Sequence, residues 1–383
     1  MKGFLGLLLF LTTSGSLHSE TVLVSILNKH SCSAILISPD KGSYRLEADG
    51  AELFVLEKNE LLYVSMKGEE LFLSKLSGSP GIFSSVSLVS AEGRGGFTVR
   101  SVVPLTQEKY YYGNLNLSVD YERIKMINAV DEDIYLAGVV EAESGTSSTE
   151  MFYKAHSIIC RTYLYNNLDR HMDEGFHLCD EVHCQVYKGR LTSSGIINDA
   201  VSSTSGKVIT YGNGDLITAA FHSNCGGQTV NSQDIWLISR PYLRSVHDPY
   251  CRYGKNAKWK LNVGLDEWRS YLRSMGISGS HNLSDPSIFC FSQQSRSVFY
   301  RIENSSIPLR QIRSDWNLKS AFFEIDIAES GQEVIIRGKG YGHGAGLCQE
   351  GAMEMAARGY NFLDILQFYY TDISVRDIDS LVY

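Results

Sequence analysis

Short apolar, β-branched runs at residues 21–27, 34–37, 53–56, 61–64 and 71–73 are separated by Gly, Asp, Asn and Ser. That alternation of runs and turn-formers predicts strands. Strand character continues from 110 to 140, where an apolar run at 134–140 leads into Glu141 and Glu143. The first amphipathic helix is predicted over 149–167. Phe152, Ala155, Ile159 and Tyr163 recur at helical spacing, and Ser147 with Glu150 reads as a capping box. Arg161 and Tyr163 are expected to pack rather than to face a site. Residues 207–211 and 216–221 read as a hairpin around Gly212-Asn213-Gly214. A helix at 265–275, stopped by Gly276, lies in a stretch, 262–320, that reads as an insertion or smaller subdomain. Strands are predicted at 322–327 and 333–337, and helices at 350–358 and 362–370.

These elements predict an α+β protein: a mixed β-sheet core with a few helices packed on it, at 110–383, preceded by a strand-rich N-terminal region at 20–109. Residues 1–19 read as an export signal, with Lys2, the apolar run 4–11 and the small residues Ser14-Gly15-Ser16. The expected location is therefore outside the cytoplasm, in the periplasm or cell envelope. Beyond the N-terminus no run of 18 apolar residues occurs.

Of the 383 residues 43% are hydrophobic and 20% charged, as in globular proteins, and the formal net charge of -8 argues against nucleic acid as a partner. Export would allow the eight cysteines to oxidise, though pairing cannot be read from sequence.

Chemistry concentrates at four places. Glu143 stands at the edge of an apolar wall, where burial raises a carboxyl's pKa as a general acid requires. A helix starting directly after it would lower that pKa, and the spacer at 145–148 is expected to hold it clear. His177, Cys179, His183 and Cys184 lie within eight residues and suit a soft metal, zinc above all; a disulfide or free thiols remain alternatives. His222-Ser223-Asn224-Cys225-Gly226-Gly227 is placed like a substrate-contacting loop. The glycines of 338–346 suggest close approach of backbone to a ligand or another loop, with His343 projecting. That loop matches neither G-x-G-x-x-G nor the P-loop, and no H-E-x-x-H or G-x-S-x-G occurs.

In their order, these motifs resemble the SpoIID/LytB domain of bacterial cell-wall proteins. Residues 128–143 resemble its approach to a catalytic glutamate, and Lys154-Ala155-His156 with Arg161-Thr162-Tyr163 its following helix. Cys184-Gln185-Val186-Tyr187-Lys188-Gly189 is similar to CQ-x-Y-x-G, 222–229 to HS-x-x-GG-x-T, and 342–352 to GHG-x-G-x-x-Q-x-GA. The departures are Ser144 where Met is usual, and Cys225 and Cys348 where Ser is usual.

The resemblance implies a peptidoglycan lytic transglycosylase that cuts between N-acetylmuramic acid and N-acetylglucosamine with 1,6-anhydro ring formation. Glu143 would act as acid and then as base, with no cofactor needed for the chemistry. His222, Ser223, Tyr341, His343 and Gln349 are the implied substrate-binding residues. A structural zinc would draw on Cys179 and Cys184, then His177 and His183. The implied partners are glycan strands, with cell-wall amidases or division proteins beside them. The alternative is a non-catalytic peptidoglycan-binding protein or amidase enhancer.

Overall fold

The computed structural model describes residues 21–75, 78–189, 195–277, 283 and 285–381. The expected export signal lies outside them. Among the described residues no helix is long and apolar enough to cross a membrane.

The fold is α+β. Its N-terminal part is two sheets packed face to face, as alternating buried and exposed positions such as those of Leu62–Lys67 and Glu70–Lys75 require. One sheet holds six strands and the other seven. The strands Asn114–Asp120 and Arg123–Asp131 belong to the seven-stranded sheet, with Thr21–Ser25 pairing antiparallel to Arg123–Asp131. The N-terminal region is thus hydrogen-bonded into the segment that leads to the acid, and one apolar core runs from Val22 through to Ile373. A second core gathers Val263, Trp268, Phe289, Tyr300, Ile325 and Ile336. It takes in the expected subdomain and also the strands Phe323–Ile327 and Glu333–Lys339.

Helix α1 (Glu132–Ser144) occupies the stretch expected to be extended. A wholly apolar run carries no periodicity of its own, so burial on all sides fits a helix as well as a strand. Asp131 decides the matter: its carboxylate caps the Ile134 N–H at 3.1 Å, with Glu132 and Asp133 in the first turn. Glu141 and Glu143 diverge because two residues turn a helix by about 200°.

Helix α2 (Glu150–Tyr165) buries Phe152, Ala155 and Ile159 as expected. The Ser147 capping box does not form: Thr149 is the N-cap, and the Tyr153 hydroxyl ties down the preceding turn through Ser148 N–H and Gly145 C=O. Arg161 is fully buried and packs, as expected. It bonds Glu132 at 2.6 Å, Asp133 at 2.8 Å and the Thr204 carbonyl at 2.6 Å, tying α1 and α2 to helix α3 (Gly195–Ser203). Tyr165 supplies a further donor to Glu132 at 2.7 Å. These partners oppose the desolvation of the buried ion pair, which still raises the Glu132 carboxyl above its ordinary range.

The expected hairpin is reduced to two residue pairs. The strand Lys207–Tyr211 pairs mainly with Ile373–Asp377, near the C-terminus. Phe221 and His222 pair instead, in parallel, with Leu347 and Cys348.

Candidate active site

Glu143 stands in the last turn of α1, so the expected conflict with a helix N-terminus does not arise. It is half-buried, and its Oε1 accepts the Val186 N–H at 2.9 Å. Burial raises its carboxyl above the ordinary range, against the opposing Val186 bond and Lys188 charge. The negative end of the α1 dipole acts in the same direction.

The segment that supplies Val186 is sewn onto both helices. Gln185 bonds the Cys160 carbonyl at 3.3 Å, and Tyr187 is buried against Tyr135 with ring centroids 5.0 Å apart. Close approach requires a glycine at 138. A Cβ there would lie 2.5 Å from the Gly189 carbonyl oxygen and 2.8 Å from the Tyr187 ring.

On its other side Glu143 is held by its backbone. Gln349 Nε2 donates to the Glu143 carbonyl at 3.1 Å and lies 3.3 Å from His156 Nε2. Burial pushes His156 down to about 4, so at neutral pH its Nε2 is an acceptor and its Nδ1 proton faces Cys160 Sγ, 3.8 Å away. Gln349, expected to bind substrate, thus spends its amide on Glu143 and His156. Sequence reasoning gave His156 no role of its own: a lone His on a helix face carries no signal until its partner is known.

The two motif loops meet each other. Beyond the parallel pairing, Asn224 and Tyr341 exchange backbone bonds of 3.1 and 2.8 Å. Gly342 adopts φ +112°, and a Cβ there would sit 2.7 Å from that of His222. The loop glycines therefore serve approach to another loop. His222 Nδ1 donates to the Ala345 carbonyl at 3.1 Å, and its Nε2 is buried with no protein partner among the described residues. His343 lies 5.4 Å away between ring centroids, and its Nδ1 accepts the Ala345 N–H. Burial first, then nearby charges, holds both rings neutral, His343 at about 4. Ser223 Oγ accepts from Asn256 at 2.9 Å. Tyr341 is 46% exposed, with the Lys319 ammonium 5.8 Å from its ring centroid. These four residues gather on the paired loops, whereas the Glu143 carboxylate bonds Val186. A cavity of about 380 Å³ lies beside the same loops, lined by Gly226, Gly227, Arg252, Tyr253 and Lys258.

Of the expected metal ligands, Cys179, Cys184 and His183 come together and His177 does not. His177 Nδ1 instead accepts the Leu23 N–H at 3.3 Å. His171 takes its place: the four ligand atoms of His171, Cys179, His183 and Cys184 all lie within 4.8 Å of one another. His177 precedes the strand Leu178–Cys179, which pairs with Thr21–Ser25 and fixes its direction. His171 Nδ1 faces Glu174 at 2.5 Å, leaving Nε2 toward Cys184 Sγ at 3.4 Å. Such a carboxylate–histidine pair orients metal ligands. A bond from Cys179 and further hydrogen bonds lower the Cys184 thiol to about 6. The donor set fits tetrahedral zinc.

The family model SpoIID, Stage II sporulation protein, matches residues 120–211. An uncharacterised protein of Brachyspira hyodysenteriae is 27% identical over 294 residues, 76% of this chain and 77% of its own. The Stage II sporulation protein D of Bacillus subtilis is 28% identical over 65% of this chain and 75% of its own length. An amidase enhancer of the same organism is 30% identical over 61% of this chain, but over only 39% of its own length. The family match spans α1, α2 and the Val186 segment, and the relatives reach well beyond it. The family match and these relatives support assignment of the chain to the SpoIID/LytB family and a cell-wall-related role.

Proposed function

We propose that the chain is a peptidoglycan lytic transglycosylase with Glu143 as its acid and base, acting outside the cytoplasmic membrane. The observation that carries this reading is the half-buried Glu143 carboxyl at the C-terminal end of α1, raised by burial and accepting the Val186 N–H. A protonated Glu143 gives its proton to the glycosidic oxygen as the C1–O bond breaks. The muramic C6 hydroxyl then attacks C1, and the Glu143 carboxylate takes its proton. The acid is thereby restored, no water is consumed, and no second flanking carboxylate is needed. The exposed Tyr341 ring and the buried acceptor His222 Nε2 are the groups suited to stack on and orient a sugar. The His171, Cys179, His183 and Cys184 set would hold a structural zinc that stiffens the Val186 segment. Four protein ligands leave no open position for a metal-bound water.

The amidase-enhancer relative favours a second reading, in which the chain binds glycan and modifies an amidase without cutting. Mass spectrometry of soluble products, from peptide-stripped glycan and from intact sacculi, separates the two. Anhydro-muramyl products from wild type and none from Glu143→Gln are expected. Reducing-end products would mean a hydrolase. Binding without any product would favour the second reading.

A further inference from the structure

Three cysteines scattered through the last 160 or so residues of the chain converge with a carboxylate, away from the His171 cluster. The ligand atoms of Cys225, Asp248, Cys251 and Cys348 all lie within 4.8 Å of one another, and all four residues are fully buried. Cys225 Sγ is 3.4 Å from Cys251 Sγ and 3.2 Å from Asp248 Oδ2. Those separations are well beyond the ~2.05 Å of a disulfide. They approach the edges of a zinc tetrahedron, roughly 3.8 Å between two sulfurs and roughly 3.5 Å between sulfur and oxygen, for Zn–S of about 2.3 Å and Zn–O of about 2.0 Å.

The surroundings are those of a ligand shell. Asp248 Oδ1 accepts the Tyr250 N–H at 2.8 Å, and Oδ2 accepts the Tyr369 hydroxyl at 3.0 Å. Cys348 Sγ accepts the backbone N–H groups of Cys225 at 3.2 Å and Gly351 at 3.4 Å, contacts that favour a thiolate. Orienting bonds of this kind are typical of the outer shell of metal sites. A buried carboxylate is paired, coordinates a metal or takes up a proton, and here it lies among three thiols. Arg296 bonds the Cys225 carbonyl at 2.7 Å and supplies one positive charge beside them. A divalent ion is the complement that thiolates select.

We infer that Cys225, Asp248, Cys251 and Cys348 form a closed site for one thiophilic divalent ion, zinc in the first place, with a structural role. Binding releases three thiol protons and needs no redox partner. With four protein ligands the site has no place for substrate. It clamps three separate pieces: the loop after Phe221–His222, the turn Tyr250–Tyr253, and the start of the helix Gln349–Ala357. Gln349, which holds the Glu143 carbonyl, follows the ligand Cys348 directly, so the clamp sets the frame in which the acid sits.

Zinc content of the full chain, measured by inductively coupled plasma mass spectrometry, tests this. A Cys179→Ser/Cys184→Ser background removes the first cluster, so the count reads the second site alone. One equivalent is expected in that background, and none after Cys225→Ser/Cys348→Ser is added. Those changes restore the serines usual in the family, and circular dichroism checks that the variant folds. Cobalt loaded into the background should show thiolate charge-transfer absorption that the added changes abolish. No zinc in the background would overturn the inference, as would an equivalent that survives the added changes. A disulfide between two of the three cysteines, found by peptide mapping without reductant, would also overturn it.

Discussion

Two thiol clusters brace Glu143, and they close very different lengths of chain. His171 and Cys184 are 13 residues apart, and the first cluster opens to solvent at His183. Cys225 and Cys348 are 123 residues apart, and the second cluster is buried throughout. The entropy of joining two chain positions grows with the logarithm of the loop between them. A cross-link through the second cluster therefore restricts the unfolded chain by roughly 2 kcal/mol more than one through the first. The clusters also hold different parts of the acid. The first adjoins the segment whose Val186 N–H meets the carboxylate; the second adjoins Gln349, which meets the backbone carbonyl. With metal bound as proposed, the first would bear on the Glu143 carboxylate and the second on its backbone.

The largest effect bypasses both braces. Glu143→Gln should lower glycan cleavage by about 10³-fold, in the range set by general acid–base catalysis, with zinc content and melting profile near wild type. Cleavage assays beside metal analysis check this, and a variant that keeps wild-type activity would end the assignment. Next, Cys348→Ser should destabilise more than Cys184→Ser, by roughly 2 kcal/mol in denaturant unfolding. The reverse order would break the comparison. Gln349→Ala should reduce cleavage about 10-fold, the worth of one hydrogen bond at about 1–1.5 kcal/mol, while retaining all bound zinc. Loss of zinc in that variant would mean the amide supports the cluster rather than the acid.

The smallest effect is on pH dependence. The folded pKa of Glu143 is raised, so wild type loses stability as pH rises through that value, and the effect is absent below the unfolded carboxyl's ~4.3. Glu143→Gln cannot titrate and should gain on wild type between pH 4 and pH 7. His156 and His343, pushed down to about 4, act in the opposite sense. Below about 6.5 the unfolded chain takes up protons that the folded rings refuse, so stability falls as pH drops toward 4. Urea titrations across that range read both trends, and coincident profiles for wild type and variant would remove Glu143 from the account.

Much of the site is legible in the sequence because its motifs are local. Glu143, the Cys184–Gly189 segment and the two glycine-bearing loops can each be read from their own neighbours. The helical state of 132–144 is harder, since an apolar run gives no period and the decision falls to the Asp131 cap. His177 looks like a ligand because it is near Cys179 in sequence, yet strand pairing with Thr21–Ser25 turns it to Leu23, and His171 enters from eight residues upstream of Cys179. Asp248 and Cys251 were beyond reach: nothing local links them to Cys348, and only the fold brings them together. The Gln349–His156 contact spans 193 residues and fails to show for the same reason.

Helix α1 is fixed at its start by the Asp131 cap and the Arg161 ion pairs, and it touches the Val186 segment midway, at Gly138. Glu143 lies five residues further on, about 7.5 Å along the axis. The helix is thus a short lever whose fulcrum is a residue with no side chain. Its resting angle, and with it the placement of the Glu143 carboxyl, is set by how near two backbones can come.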